Sequence, residues 1–188
     1  LPERLTAGIR VADLGCGTGH AINLMAKEYP RSEFVGYDVA ADAIGRARAE
    51  ARALALPNAR FEVCDVTRLP AGTPFDLITS FDAIHDQRDP ATVLRSAAAA
   101  LAADGIYLVV EPRASSNLEE NVGNPFGPWL YGMSVLHCMT VSLAEGGAGL
   151  GTAWGEQTAR QFLAAAGFTS VEAVDAPGPQ NTIYICRR

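Results

Sequence analysis

Two spacings of apolar residues alternate along the chain. Short runs dense in apolar residues occupy 9–14, 33–38, 59–64, 75–80 and 106–110. Between and after them, at 18–29, 40–54, 90–103 and 156–166, apolar positions return every three or four residues. The first spacing predicts strands and the second amphipathic helices. In the helix over 18–29, Ile22, Met25 or Ala26, and Tyr29 share a face, and Pro30 ends it. The next helix turns Ala43, Ile44, Ala47, Ala51 and Leu54 inward. Asp89 is placed to cap the helix that Pro90 opens, and Gly167 to cap the end of the one over 156–166. The unbroken run 106–110 suits a strand buried on both faces. Strands and helices alternating at this interval predict βαβ units, hence a parallel sheet with right-handed crossovers. The last two runs, 169–174 and 181–186, are joined by a short Pro/Gly-rich link, 175–180, which predicts antiparallel neighbours. The fold class is therefore α/β, a sheet with helices on both faces.

One region breaks the rhythm. Residues 112–153 are rich in Gly, Pro, Asn and Ser, with a single apolar stretch, 129–143. Trp129, Leu130, Tyr131, Met133, Leu136, His137 and Met139 fall there on a predicted helix too apolar for an ordinary surface. The glycines of 146–151 are not followed by Lys-Ser/Thr, so they predict a flexible hinge and not a phosphate loop. A Pro/Gly loop is expected over 69–74.

Composition narrows the function classes. At 188 residues, 48% hydrophobic and 19% charged, the chain suits one core-forming domain with an insertion at 112–153. A net charge of −6 argues against a nucleic-acid groove. Arg46, Arg48 and Arg52 fit a solvated helix face. No apolar run approaches the ~20 residues of a membrane span. No secretory signal opens the chain, and the four cysteines include no C-x-x-C pair, so reduced thiols and a cytoplasmic location are expected. Asp82, Asp86 and Glu111 fall near strand ends, where carboxylates are common, and no metal site is expected.

The chemistry concentrates at Asp13-Leu14-Gly15-Cys16-Gly17-Thr18-Gly19, between the first strand and the first helix. Glycines there allow positive φ and let a ligand touch bare backbone. The helix start behind them offers unpaired N–H groups. A dinucleotide fingerprint needs Gly or Ala where His20 stands. Asp38, ending the second strand, can accept from both ribose hydroxyls of either NAD or an adenosyl cofactor.

The loop resembles the first motif of class I S-adenosylmethionine (SAM)-dependent methyltransferases, and residues 75–80 resemble their fourth. That resemblance implies sheet order 3-2-1-4-5-7-6 with strand 7 antiparallel. It implies SAM as cofactor, S-adenosylhomocysteine (SAH) as its product, and a small-molecule acceptor. Gly15, Cys16, Gly17 and Gly19 would then face the cofactor, with Asp13 ordering the loop or meeting the amino group. Asp38 and Val39 would border the ribose, and Ser80 and Phe81 would end the fourth strand beside it. Asp65 would accept from the adenine amino group while Val66 supplies a backbone N–H. His85, just past the fourth strand, is the candidate general base, its ordinary pKa of about 6.5 suiting that task; the alternative is a packing histidine. The 112–153 insertion reads either as core or a homodimer interface, or as a lid over an apolar acceptor with Trp129, Tyr131 and His137 facing it. Residues 81–87 and 136–140 are similar to two-domain proteins in which a winged-helix module precedes the methyltransferase domain, so a further N-terminal domain is expected. Two other classes stay open: a non-catalytic SAM-binding module dimerising through 121–145, and an NAD-linked oxidoreductase. His20 and the lack of a Tyr-x-x-x-Lys pair weigh against the latter.

Overall fold

A computed structural model describes every residue except Ala71 and Thr73. Seven strands form one sheet: β1 (Arg10–Leu14), β2 (Glu33–Asp38), β3 (Ala59–Val63), β4 (Phe75–Phe81), β5 (Leu101–Pro112), β6 (Ser170–Asp175) and β7 (Asn181–Arg187). Their order is β3-β2-β1-β4-β5-β7-β6. The first five are parallel; β7 runs antiparallel between β5 and β6. Both the order and the reversed strand agree with expectation.

Side-chain alternation along each strand builds two apolar layers. Val11, Phe34 and Leu77 face α2 (His20–Glu28) and α3 (Ala41–Ala53), meeting Ile22, Ile44 and Ala47. Ala12, Leu14, Ile78 and Tyr107 face the other way, toward α4 (Pro90–Ala100) and α7 (Gly155–Ala165), meeting Val93, Leu94, Ala159 and Leu163. Burying each large aliphatic side chain contributes about 1.5–3 kcal/mol, so the two layers hold the sheet's C-terminal edge in place. That edge carries the site.

Several boundaries moved. The lead-in holds a helix, α1 (Pro2–Ala7), tied down where Ser32 Oγ donates to Leu5 O at 2.6 Å. Gly19, at φ 74°, starts α2 at His20 and not at Thr18. Leu54 caps α3 half-exposed instead of turning inward. Arg48 is not a purely solvated charge, since its guanidinium donates to Phe61 O. The helix expected over 90–103 stops at Ala100, because Leu101 turns extended and pairs with Phe75 ahead of a bulge. Asp89 does cap α4, accepting from Thr92 N at 2.9 Å. Ala166 caps α7, with Gly167 next at φ 102°. Of the loop expected over 69–74, Ala71 and Thr73 lie outside the described residues.

The helix expected over 129–143 is one rod with a widened middle. It consists of α5 (Gly127–Met133), a π-helical turn (Ser134–Cys138) and α6 (Met139–Ala144). The 146–151 stretch is pinned, not a loose hinge. Ala148 N donates to Arg88 O at 3.0 Å, and Gly149 N to Ser142 Oγ at 3.1 Å. Among the described residues no helix is long and apolar enough to cross a membrane.

Candidate active site

At the carboxyl end of β1 the chain crosses to β2, where Gly15 N and Cys16 N both donate to Tyr37 O, at 2.9 and 3.0 Å. Gly17 and Gly19 are glycines for different reasons. At Gly17, φ 52°, an added Cβ would meet nothing within 4 Å, so bare backbone faces open space. At Gly19 it would come within 2.4 Å of Phe61 and 2.6 Å of Ala47, so helix packing forbids a side chain. Asp38 closes the loop: Oδ2 accepts from Gly17 N and Oδ1 from Ala40 N, each at 2.8 Å. Each carboxylate oxygen keeps a lone pair for a further donor.

Around this loop lie the other expected residues. Val39 is 67% exposed and Phe81 40%, two apolar surfaces left open at the rim. Asp65 Oδ1 accepts from Thr67 N and Thr67 Oγ1, at 2.9 and 2.7 Å, capping the 3₁₀ turn Val66–Arg68. Val66 itself packs in the core, so only its backbone can serve a ligand. The Ser80 side chain also turns away from the rim, its Oγ 3.0 Å from Tyr107 OH inside the protein. Cys16 Sγ lies against Gly36, and burial, then the charges of Asp13 and Asp38, push that thiol far up.

Asp13 sits beneath the loop, 2% exposed, accepting from Thr79 Oγ1 at 2.7 Å. Burial pushes its carboxyl up to about 7; the Thr79 bond opposes the shift and the Asp38 charge adds to it. Among the described residues no cation opposes that shift, and a buried carboxylate so placed favours a ligand that brings positive charge.

Gly15 also borders the segment after β4: an added Cβ would come within 2.8 Å of Ala83 Cβ. The chain leaves β4 sharply at Asp82, at φ 48°, whose Oδ1 accepts from Asn181 Nδ2 at 2.7 Å. That turn brings His85 over Glu111, which reaches it from the neighbouring strand. Glu111 is fully buried; Oε1 accepts from Ile84 N at 2.8 Å and Oε2 lies 2.5 Å from His85 Nδ1. With the proton on Nδ1, the imidazole turns the Nε2 lone pair outward. Asp86 Oδ1 stands 3.3 Å from Nε2, an ion-pair distance without hydrogen-bond alignment. Burial lowers the pKa of His85. The bond to Glu111 and the charges of Glu111, Asp86 and Asp82 outweigh it, leaving the ring above the usual histidine range.

A cavity of about 630 Å³ opens over this pair, lined by His85, Asp86, Trp129, Met133, His137 and Cys138 among others. The rod's two stripes explain the lining. Leu130, Ser134 and Cys138, four apart, are buried, while Trp129, Met133 and His137 form the adjacent stripe along the cavity. Tyr131 does not join them. Its hydroxyl accepts from Asn121 Nδ2 at 2.9 Å and it lines a separate hollow with Leu118 and Val122, because a residue two positions from Trp129 projects from another face. The expected group of Trp129, Tyr131 and His137 is therefore split. Glu111, Asp86, Cys138 and Thr152 had no assigned role from sequence, although Glu111 carried a signal: a charged residue ending an apolar strand.

Residues 5–156 match a family model described as a methyltransferase domain. The chain belongs to this methyltransferase family. Among curated relatives, the trans-aconitate 2-methyltransferase of Methylobacterium nodulans is 34% identical over 116 residues, 62% of this chain and 42% of its own. The malonyl-[acyl-carrier protein] O-methyltransferase of Bacillus cereus is 32% identical over 103 residues, 55% of this chain and 37% of its own. This methyltransferase domain thus spans about two-fifths of the length of those relatives. Among solved structures, an O-methyltransferase family protein from Burkholderia thailandensis superposes with TM-score 0.75 at 18% identity, over 96% of this chain and 51% of that one. PigF with SAH superposes with TM-score 0.73 at 21% identity, over 95% and 50%. At such identity these two establish the shared methyltransferase fold.

Proposed function

We propose that the chain transfers a methyl group from SAM to a neutral hydroxyl or amine of a small molecule held in the 630 Å³ cavity, with His85 as general base. The observation that carries this is the buried His85–Glu111 pair opening into a cavity whose wall includes Asp82, the neighbour of the Ala83 that packs against Gly15 of the glycine loop.

Bound SAM supplies a methyl already activated on a sulfonium. Everything else falls to the chain. The spare lone pairs of Asp38 suit two ribose hydroxyls, and Asp65 with the Val66 backbone suits the adenine edge. The N–H groups around Gly17 suit the carboxylate of the amino-acid portion. Asp13 sets a negative charge under a ligand that is cationic at sulfur and nitrogen. Val39 and Phe81 offer apolar cover to the ring.

His85 Nε2 takes the acceptor's proton as its oxygen or nitrogen bonds the methyl. Glu111 keeps the ring in the right tautomer and stabilises the imidazolium that forms. Trp129 and Met133 would exclude water, and the wall would hold the acceptor against the cofactor's methyl. Charge narrows the acceptor class. Asp82 and Asp86 line the cavity, and among the described residues no Lys or Arg lines it. That lining repels a tricarboxylate such as the one in the name of the Methylobacterium relative. The four free thiols fit a reducing compartment, the cytoplasm.

The test is methyl transfer from labelled SAM to a panel of phenols, aliphatic alcohols, amines and carboxylates. His85→Ala should lower turnover by about a hundredfold or more with SAM affinity unchanged, the size general-base catalysis commands. A loss under about tenfold defeats the base, and a preference for carboxylates defeats the acceptor class.

A further inference from the structure

The cavity holds a set of side chains that the proposed reaction does not use together. One donor atom each from His85, Asp86 and Cys138 lie within 4.8 Å of one another. Asp86 Oδ1 is enclosed, 3.3 Å from His85 Nε2 without hydrogen-bond alignment, and the Asp86 carboxylate also faces the Cys138 thiol, whose pKa burial and then Asp86 push up to about 11. Cys138 Sγ is buried and meets Thr152 Oγ1 at 3.9 Å, a weak contact. We propose that His85, Asp86 and Cys138 form a binding site for a divalent cation of the zinc class, with a further coordination position open to the cavity.

The donor set selects the ion. Magnesium and calcium want oxygen ligands throughout, whereas imidazole, carboxylate and thiolate together suit zinc. Tetrahedral zinc, with bonds of about 2.0–2.2 Å to nitrogen and oxygen, sets those two donors roughly 3.3–3.5 Å apart. The 3.3 Å between Nε2 and Oδ1 already matches. The thiol has about 1.2 Å at most to close from the 4.8 Å limit to the roughly 3.6 Å that a zinc–sulfur geometry sets.

Two supports hold the site. Glu111 Oε2 on Nδ1 is the carboxylate–histidine arrangement that orients metal-binding imidazoles. The two walls are also tied together. Ser142 Oγ donates to Gln87 O at 3.1 Å, joining the rod that carries Cys138 to the loop that carries His85 and Asp86. On ligation the Cys138 thiol gives its proton to solvent. An ion on Nε2 takes the lone pair that proton transfer needs, so zinc and the base exclude each other, and zinc switches methyl transfer off. That consequence, unlike the site, rests on the reaction proposed above.

Cobalt(II), titrated into the whole chain without SAM, tests the site directly. The expected result is one ion per chain, tetrahedral visible bands, a near-ultraviolet thiolate charge-transfer band, and displacement by zinc. Cys138→Ser should lose the charge-transfer band although Cys16, Cys64 and Cys186 remain. Asp86→Asn should weaken cobalt binding by about tenfold or more, the least expected for a direct ligand given that even supporting groups cost 10–100-fold. Circular dichroism confirms that each variant is folded. No charge-transfer band in the parent chain, or one that survives Cys138→Ser, overturns the site. If the cobalt spectrum appears as expected but saturating zinc leaves methyl transfer unchanged, the site stands and His85 as base falls.

Discussion

Asp13 carries the clearest residue-scale consequence. Its folded pKa of about 7 stands above the ordinary 3.8. Between those values the folded chain holds a proton that the unfolded chain has released, so this group's contribution to stability falls as pH rises from about 4 to 7. Asp13→Asn removes the buried charge. Melting at pH 8 should show it more stable than the parent, by ~1–3 kcal/mol, a gain that disappears near pH 5 where Asp13 is protonated. The same variant should bind SAM more weakly, and the parent's SAM affinity should fall below pH 7 as Asp13 protonates, by up to about tenfold per unit. Calorimetric titration at pH 6 and 8 reads both. Glu111→Gln tests the other buried carboxylate. Its amide oxygen can still accept from Ile84 N, but its NH2 cannot accept from Nδ1–H. kcat should drop about tenfold or more with SAM affinity unchanged. Asp13, His85 and Glu111 all stand at or just past strand ends in the sequence, but the meeting of Glu111 with His85, 26 positions away, was not legible there.

Among the elements, the rod from α5 to α6 shows how local pattern and packing divide the work. Its apolar spacing announced a helix, yet a period of 3.6 cannot foretell a π-helical turn. That turn is set against Gly151, where an added Cβ would fall 2.0 Å from Ser134 Oγ and 2.7 Å from Met139 Cγ, at φ 70°. Gly151→Ala should therefore push the rod outward and cost about 1–3 kcal/mol in denaturant unfolding. It should raise KM for the acceptor without altering SAM affinity, because the glycine loop belongs to a different element. The glycine-rich stretch that reads as a hinge is held firmly because its backbone donors are spent on Arg88 O and Ser142 Oγ.

For the whole molecule, the parallel order β3-β2-β1-β4-β5 gathers the ends of β1, β2 and β4 along one edge. The glycine loop, Asp38 and His85 are separated in sequence and adjacent there. A ligand that bridges these ends stabilises the folded chain as a unit. SAM or SAH at about a hundred times Kd contributes roughly 2.7 kcal/mol, which should raise Tm by about 5–10 °C for a domain of this size. NAD at the same concentration should leave Tm unchanged. A shift with NAD and none with SAH would reverse the choice of nucleotide.

Strand and helix alternation, the glycine loop, Asp38, and the antiparallel last strand were all legible one residue at a time. Each depends on contacts short along the chain or on a backbone conformation that a residue type permits. The Glu111 carboxylate on His85, the splitting of Tyr131 from Trp129 and His137, and the meeting of His85, Asp86 and Cys138 were decided only by folding. The first and last join positions tens of residues apart, and all three depend on sheet register or on a helix turn one residue wider than the common one, which no spacing in the sequence encodes.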